Sequence, residues 1–225
     1  MAIPEGFVLK TKKYLAFFGN RLATLEKIQE LFPEIEFRSV RQTHSDICIL
    51  SQSQHRVGPE QIAEVADAHW TAEKNIGLLI RTADCLPILC YFPSLNRIAS
   101  IHAGWKGVAN QITRKSFENI FMNLTSEVDV LIGPHIQQSS FEVQQPVKDL
   151  ILSSILHSSF VYDHNIENDR FYIHLAEVVQ QQLDKFEIAS WNCLTIDTKT
   201  NLDFYSYRRD HELSGRNLSF ICLLT

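Results

Sequence analysis

The chain of 225 residues lacks the features that mark membrane, secreted and nucleic-acid-binding proteins. No apolar run approaches the roughly 20 residues that a membrane-spanning helix needs. No run rich in lysine or arginine extends beyond Lys10–Lys13, so nucleic acid is not an expected partner. The segment Met1–Gly6 has no basic region followed by an apolar core. We therefore expect no signal peptide and no membrane association.

Cysteine is scarce, and the five cysteines do not form a spaced framework: Cys48, Cys85, Cys90, Cys193 and Cys222. An odd, scattered set argues against a disulfide scaffold and predicts reduced thiols in a cytoplasmic protein. Internal repeats and Pro/Gly/Ser-rich linkers are absent too, so residues 1–225 predict a single domain. Apolar residues make up 45% of the chain and charged residues 21%, as in ordinary globular proteins.

Hydrophobic periodicity predicts strands in runs, with helices inserted between them. Helices are predicted over 23–32, 107–124, 147–156 and 174–186. Strands are predicted over 14–18, 36–40, 47–50, 77–81, 88–92, 97–102, 128–132, 204–208 and 217–224. The turn residues Pro93–Asn96 indicate a hairpin. This order favours an α+β fold with a mixed sheet over strict alternation of strand and helix.

Two histidines and one cysteine lie in three segments whose residue types are hard to explain by core packing: Gln42–Ser45, Arg81–Pro87 and His102–Gly107. The set His44, Cys85 and His102 is typical of a catalytic zinc site, where three protein ligands leave a fourth position open. Cys85 follows one predicted strand, and His102 closes the next strand but one. A hairpin brings such strand ends together, and the small residues after His102 allow another group to approach closely.

The other cysteines and histidines have simpler interpretations. We expect Cys48, Cys90, Cys193 and Cys222 to be small core residues. Five histidines lie in or near predicted loops or helix ends, where surface or capping roles are expected: His55, His69, His135, His157 and His164. Of these, His69 and His135 are candidates for groups behind the metal ligands.

A second candidate site lies near the end of the chain, where Ser206–Asp210 contains adjacent arginines and Arg216 follows a glycine. A tyrosine and an aspartate bracket the pair Arg208 and Arg209. Guanidinium groups grouped in this way can fork onto phosphate or carboxylate oxygens. The same pattern is also typical of a solvated strand edge, so both interpretations stay open.

Seven motifs occur in a fixed order from about Val40 to the C-terminus: Gln42–His44, Ala66–Ala68, Thr82–Pro87, His102–Gly107, Ile132–Ile136, Phe141–Val143 and Ser206–Asp210. Together they resemble the laccase-domain (YfiH-like) family, whose members are labelled polyphenol oxidases or purine nucleoside phosphorylases. The resemblance implies an α+β fold with mixed β-sheets packed between helices, related to toxin-type cysteine hydrolases. It also implies a metal ion, usually zinc, held by residues that map onto His44, Cys85 and His102.

The chain departs from the family pattern at three places. The family's N-terminal Arg-x-Gly-Gly-x-Ser stretch has no match here. Lys106 replaces the usual arginine of the His-Ala-Gly-Trp-Arg-Gly motif, which keeps the charge but loses the bidentate fork. His174 stands where an aspartate is usual. These departures bear on substrate range more than on the metal site.

The resemblance implies action on purine nucleosides. The expected reactions are phosphorolysis of adenosine, inosine, guanosine and methylthioadenosine, together with deamination of adenosine, for which a zinc-activated water is suited. We predict Asp84 as a proton carrier beside the catalytic Cys85 and His102. Substrate contacts are assigned to Gln42, Lys106, Arg208 and Arg209. The three cationic side chains among them are expected to hold phosphate. We expect a monomer.

Other activities remain as alternatives. A multicopper oxidase needs several copper sites, whereas nine histidines without a His-x-His pair can build one. Thiolate and imidazole ligands nevertheless bind copper strongly, so copper loading in vitro and a side activity on phenols are expected. Hydrolysis of peptidoglycan precursors, a Cys85–His102 nucleophile and base, and a non-catalytic binding module are further alternatives. Stoichiometric zinc argues against the nucleophile, because a metal-bound thiolate is not free to attack.

Overall fold

The computed structural model describes residues 1–58, 64–122, 126–157 and 161–225. The strands are β1 Ala2–Ile3, β2 Gly6–Lys10, β3 Tyr14–Gly19, β4 Glu36–Ser39, β5 Cys48–Leu50, β6 Ala68–Thr71, β7 Ile76–Thr82, β8 Leu86–Phe92, β9 Arg97–Ala103, β10 Val128–Ile132, β11 Glu142–Val143, β12 Tyr162–Asn165, β13 Arg170–Ile173, β14 Ile188–Cys193 and β15 Asn217–Leu223. The helices are α1 Leu25–Leu31, α2 Trp105–Ala109, α3 Ile112–Phe121, α4 Gln145–Leu152, α5 Leu175–Gln182 and α6 Tyr207–Asp210.

The strands form two large mixed sheets and one small sheet. The first sheet has the order β1-β2-β3-β15-β7-β4, and its β4–β7 pair is parallel. The second has the order β14-β10-β8-β9-β6-β5, with parallel pairs at both edges. Strands β11, β13 and β12 form the small sheet. These sheets confirm the predicted α+β fold class with mixed sheets.

The two large sheets pack face to face, and helices cover their outer faces. Alternation along β7 shows the arrangement, because successive side chains on a strand point to opposite faces. Leu78 and Ile80 belong to the core that also holds Leu89 and Leu131 of the second sheet. Leu79 belongs instead to the core that contains Ile28 of α1. Helices α3 and α5 pack on the other face of the second sheet.

Most predicted elements agree with the structure. The predicted hairpin is confirmed: β8 and β9 are antiparallel, and Asn96 adopts the left-handed conformation in the turn. The helix predicted over 107–124 is divided into α2 and α3, because Gln111 has a φ of 60°. Its predicted end at 123–124 lies outside the described residues. No helix in the described ranges is both long and apolar enough to cross a membrane.

One predicted strand is wrong, and several strands were not predicted. Residues 204–208 were predicted as a strand, but Tyr207–Asp210 forms the helical turn α6. The reason is the hydroxyl of Ser206, which accepts the backbone N–H of Arg209 and caps the turn. Seven strands were not predicted: β1, β2, β6, β11, β12, β13 and β14. In β6 and β14, polar residues interrupt the apolar pattern.

The fold brings the candidate ligands to one edge of the sheet pair. Ala83–Cys85 carries the chain from β7 in the first sheet to β8 in the second. His102 is the second-last residue of β9 and pairs with Pro87 of β8. Cys85 and His102 therefore meet at the same end of neighbouring strands.

Candidate metal centre

Three side chains converge where the sequence predicts a metal site. One donor atom from each of His44, Cys85 and His102 lies within 4.8 Å of the other two. The Cys85 Sγ is 3.8 Å from His44 Nε2, and the two imidazole rings meet edge to face with centroids 4.9 Å apart. We call these three residues the metal cluster.

A buried carboxylate behind the metal cluster fixes its geometry. Asp67 is fully buried, and its Oδ1 is 2.7 Å from His102 Nδ1. The same carboxylate accepts the backbone N–H groups of Thr43, His44 and Ser45 and the Ser45 hydroxyl. Asp67 therefore positions both the His44 loop and the His102 ring, and it directs Nε2 of His102 toward the cluster.

Local backbone conformation also serves the cluster. His44 has a φ of 62°, a left-handed conformation that is uncommon for a residue other than glycine. A Cβ atom on Gly104 would lie 2.7 Å from His44 Cδ2 and 3.0 Å from Cys85 Sγ. The absence of a side chain at Gly104 thus provides the space in which the donors meet, as the sequence predicts.

Electrostatics favours an ionised thiolate in the metal cluster. Burial opposes ionisation of Cys85, but the imidazoles of His102 and His44 outweigh it and lower the thiol pKa to about 6. Burial likewise opposes protonation of His102, while the Cys85 thiolate and Asp67 raise its pKa to about 9. Burial also raises the pKa of Asp67, but hydrogen bonds from His102, Ser45 and backbone amides bring it down to about 2.

The donor set fits a tetrahedral metal ion such as zinc. With Zn–S near 2.3 Å and Zn–N near 2.0–2.1 Å, tetrahedral geometry places sulfur and nitrogen about 3.6 Å apart. The separation of 3.8 Å between Cys85 Sγ and His44 Nε2 is close to that value. Within the described ranges this is the single group of three or more His, Cys, Asp or Glu side chains so arranged.

The metal cluster lines a cavity of about 780 Å³. Four arginines line the same cavity, against two carboxylates, so its charge favours an anion. We call Arg41, Arg81, Arg208 and Arg216 the cavity arginines. The remaining walls are largely apolar or aromatic and include Trp105, Ile136, Phe141, Leu175 and Tyr207.

Asp84 connects the metal cluster to the C-terminal helical turn. It lines the cavity, and its backbone is left-handed with a φ of 89°. One carboxylate oxygen accepts the Thr198 hydroxyl at 2.7 Å, and the other accepts the backbone N–H of Arg208 at 2.6 Å. The structure thus places the predicted proton carrier in the cavity with both oxygens hydrogen-bonded.

The adjacent arginines predicted to bind phosphate lie in different settings. Arg208 lines the cavity, with its guanidinium over the Phe141 ring and one bond to the Glu142 carbonyl. Arg209 does not line the cavity. Its guanidinium pairs with Asp210 and donates to the carbonyls of Thr198, Lys199 and Phe204.

The other two predicted substrate contacts also differ. Gln42 lines the cavity, but its amide is paired with the backbone of Arg81: Nε2 donates to the carbonyl at 2.7 Å and Oε1 accepts the N–H at 2.9 Å. Lys106 is exposed outside the cavity, with its ammonium 5.7 Å from the centre of the Trp105 ring. Lys106, which replaces the family's arginine, therefore does not line the cavity and approaches it only by its contact with the Trp105 ring.

The surface or capping roles expected for His69 and His135 are wrong, whereas His55 keeps a capping role, because its Nδ1 accepts the backbone N–H of Gln52. His55, His69 and His135 are buried, whereas His157 and His164 are exposed as expected. Burial lowers the pKa of His69 to about 3 and that of His135 to about 4, so both are neutral. Strand alternation explains His69, which points away from the core that holds its neighbours Ala68 and Trp70.

Sequence reasoning missed two residues of the site. Asp67 lies in the motif Ala66–Ala68, but the groups predicted behind the metal ligands were the histidines His69 and His135. Arg81 ends the apolar segment Ile76–Ile80, and a lone cation at the end of a buried strand was the available signal. Its position in the cavity follows from the fold.

Comparisons with known proteins agree with this architecture. The chain is 29% identical over 203 residues to a purine nucleoside phosphorylase of Clostridium acetobutylicum, covering 88% of this chain and 81% of that protein. It is 32% identical over 174 residues to a purine nucleoside phosphorylase of Rickettsia conorii, covering 75% and 72%.

Solved structures share the fold at lower sequence identity. Neisseria meningitidis protein NMB0706 superposes with a TM-score of 0.83 at 21% identity, covering 98% of this chain and 100% of that one. YlmD from Geobacillus stearothermophilus gives a TM-score of 0.80 at 20% identity, covering 99% and 100%. The sequence pattern of one family, described as multi-copper polyphenol oxidoreductase laccase, matches residues 20–224. The chain belongs to that family.

Proposed function

We propose that this protein is a zinc-dependent enzyme that cleaves purine nucleosides with phosphate. The observation that carries the proposal is a three-ligand metal cluster in one cavity with four arginines, none of which forms an ion pair with a carboxylate in the described part of the chain. Two relatives at about 30% identity that are named purine nucleoside phosphorylases support it. The substrates are adenosine, inosine, guanosine and methylthioadenosine.

The residues of the cavity divide the work between base, phosphate and metal. The rings of Trp105, Phe141 and Tyr207 offer flat apolar surfaces for a purine. Arg208, braced over Phe141, donates to phosphate oxygens and holds the phosphate beneath the sugar. A phosphate oxygen bonds to C1′ as the bond from C1′ to the purine nitrogen breaks, and the departing purine takes up a proton. Asp84 accepts the backbone N–H of Arg208 and so holds the backbone of Arg208 close to Cys85, the residue after Asp84. As the proton carrier, it would exchange one of its present hydrogen bonds for the substrate.

His44, Cys85 and His102 hold the metal, with Asp67 keeping His102 in the required tautomer. A zinc ion at such a site acts as a Lewis acid, able to polarise a substrate oxygen or to acidify water. We extend the proposal to deamination of adenosine, because the open side of the cluster lies in the same cavity as the base-binding surfaces. Copper binds the same ligands in vitro and would give a minor activity on phenols.

A second candidate is a cysteine hydrolase, and one observation favours it. Cys85, His102 and Asp67 stand in the order of a nucleophile, a base and the carboxylate that orients the base. His44 has no role in that reaction, yet its Nε2 is 3.8 Å from the sulfur. A third donor placed at this distance is the feature that favours a metal ligand set over a free nucleophile.

The test is product analysis with zinc-loaded, copper-free protein. Each nucleoside is incubated with and without phosphate, and the products are separated by chromatography. We expect free base and the corresponding sugar 1-phosphate (ribose 1-phosphate, or its 5-methylthio form from methylthioadenosine) in equal amounts, dependent on phosphate and lost in His102→Ala. The exposed His157 gives the matched control, and His157→Ala should keep full activity. Absence of turnover on every nucleoside, with hydrolysis of a peptidoglycan precursor or an ester instead, would contradict the proposal.

A further inference from the structure

Two arginines lie near the ends of two neighbouring strands of the first sheet: Arg41 follows β4, and Arg81 is the second-last residue of β7. The parallel register of these strands pairs Phe37 with Gly77 and Ser39 with Leu79. Beyond β4 the pairing changes: Arg41 forms an isolated parallel bridge with Val65, and its backbone is hydrogen-bonded to Glu64 and Ala66. On β7, Arg81 lies two residues after Leu79 and therefore on the same face of the strand as Leu79.

The backbone at this point is held in place by a side chain. The amide of Gln42, the residue after Arg41, makes two hydrogen bonds to the backbone of Arg81, of 2.7 and 2.9 Å. These bonds join the segment that follows β4 to the end of β7. They therefore hold the chain around Arg41 against the part of β7 that carries Arg81.

No carboxylate within the described ranges neutralises either arginine. Among the described residues, no carboxylate forms an ion pair with Arg41 or Arg81, and neither guanidinium donates a hydrogen bond. Both line the cavity of the metal cluster. Arg81 is only partly exposed, and burial lowers its pKa, as expected for a cation without a partner. Two neighbouring cations of this kind repel each other unless an anion lies between them.

We propose that Arg41 and Arg81 form a phosphate-binding subsite in the cavity, separate from the contact that Arg208 makes. The planar guanidinium forks match the oxygens of a phosphate group, and the fixed backbone spares part of the entropy cost of binding. The phosphate is either the free co-substrate of phosphorolysis or a phosphate ester on the nucleoside. The subsite rests on the proposed function only in the choice of these two phosphate sources.

A direct binding measurement tests this subsite independently of the proposed catalytic activity. Inorganic phosphate and a purine nucleoside 5′-monophosphate are titrated separately by calorimetry into zinc-loaded protein at constant ionic strength, without measuring turnover. Arg81→Gln and Arg41→Gln should each raise the Kd of at least one probe about tenfold, equal to about 1.4 kcal/mol, with zinc content unchanged. Arg81→Lys, which keeps the charge but not the fork, should fall between the wild type and Arg81→Gln.

The matched control is Arg114→Gln, which removes the same charge from a partly exposed position on α3 outside this cavity. Weakening of the inorganic phosphate titration alone identifies the co-substrate, and weakening of the nucleotide titration alone identifies a phosphate ester. If both variants bind both probes as tightly as Arg114→Gln does, the subsite does not exist. Because these are equilibrium measurements, phosphate binding that depends on Arg81 stands even if no nucleoside is turned over.

Discussion

The metal cluster and the cavity arginines lie in one cavity, but the protein treats their charges in opposite ways. Behind the metal cluster, the Asp67 carboxylate accepts three backbone N–H groups of the His44 loop and contacts the His102 ring. The charge of Asp67 is therefore compensated, and the donor atoms are held in place before any ligand binds. The cavity arginines lack such compensation: no described carboxylate forms an ion pair with them. The first group is organised for a cation and the second is left for an anion.

The comparison has a close counterpart in sequence, because Arg208 and Arg209 are adjacent and chemically identical. Arg209 donates to Asp210 and to four carbonyls of the loop before it. Arg208 makes one such bond and keeps its remaining donors toward the cavity. Partners, rather than residue type, distinguish a structural arginine from a binding one.

The largest expected effect comes from removing a cluster ligand. Cys85→Ala should lower metal affinity by more than about 100-fold and abolish nucleoside cleavage, since loss of an outer-shell partner alone costs about 10–100-fold. Metal affinity is measured by competition with a chelating dye. Cys193→Ala, at a partly exposed cysteine outside the cavity, is the control. Full activity in the Cys85 variant would remove the metal cluster from the reaction.

The next effect tests the groups behind the ligands. Asp67→Asn keeps the shape of the side chain but removes the charge that orients His102. We expect metal affinity to fall about 10–100-fold, while the KM for phosphate changes little. Asp184→Asn, at an exposed position, controls for the loss of one carboxylate. Equal metal affinity in both variants would show that Asp67 is not needed to hold the cluster.

Gly104→Ala tests the space in which the donors meet. Its Cβ would lie 2.7 Å from His44 Cδ2, so the His44 ring must shift. We expect metal affinity to fall about tenfold, less than for loss of the Asp67 charge, because the donors stay chemically intact. Gly58→Ala is the matched control, since a Cβ there meets nothing within 4 Å. Unchanged metal affinity would mean that the cluster tolerates displacement of His44.

Arg208→Gln tests the anion-binding side of the comparison. Loss of one charge-assisted contact should raise the KM for phosphate at least about tenfold and leave zinc content unchanged. The measurement is initial rate against phosphate concentration at saturating nucleoside. A variant that loses zinc, or keeps the KM of the wild type, would break the division between the two groups.

Arg209→Gln should have the smallest effect on binding and act on stability instead. Removing its paired charge should lower the free energy of unfolding by about 2 kcal/mol, because hydrogen bonds to charged groups contribute about 1.5–3 kcal/mol. Denaturant titration measures the loss. A KM for phosphate that rises as much as in Arg208→Gln would restore to Arg209 the phosphate-binding role predicted from sequence.

Sequence alone predicts the parts of this molecule that depend on local chemistry. The strand–turn–strand pattern around Pro93–Asn96 and the small residues beside His102 were sufficient to bring Cys85 and His102 together. Sequence could not separate Arg208 from Arg209, because their difference arises from loops folded against them. Asp67 and Arg81 were missed for a related reason, since their roles depend on which strands become neighbours.

The measurement that tests the account most directly is the zinc content of the copper-free protein, combined with the rate at which Cys85 is alkylated. The account predicts one zinc per chain, retained on dialysis, with Cys85 protected until a strong chelator removes the metal. Zinc far below one per chain, together with rapid alkylation of Cys85 by an electrophile, would contradict it. That result would identify Cys85, His102 and Asp67 as a hydrolytic triad instead.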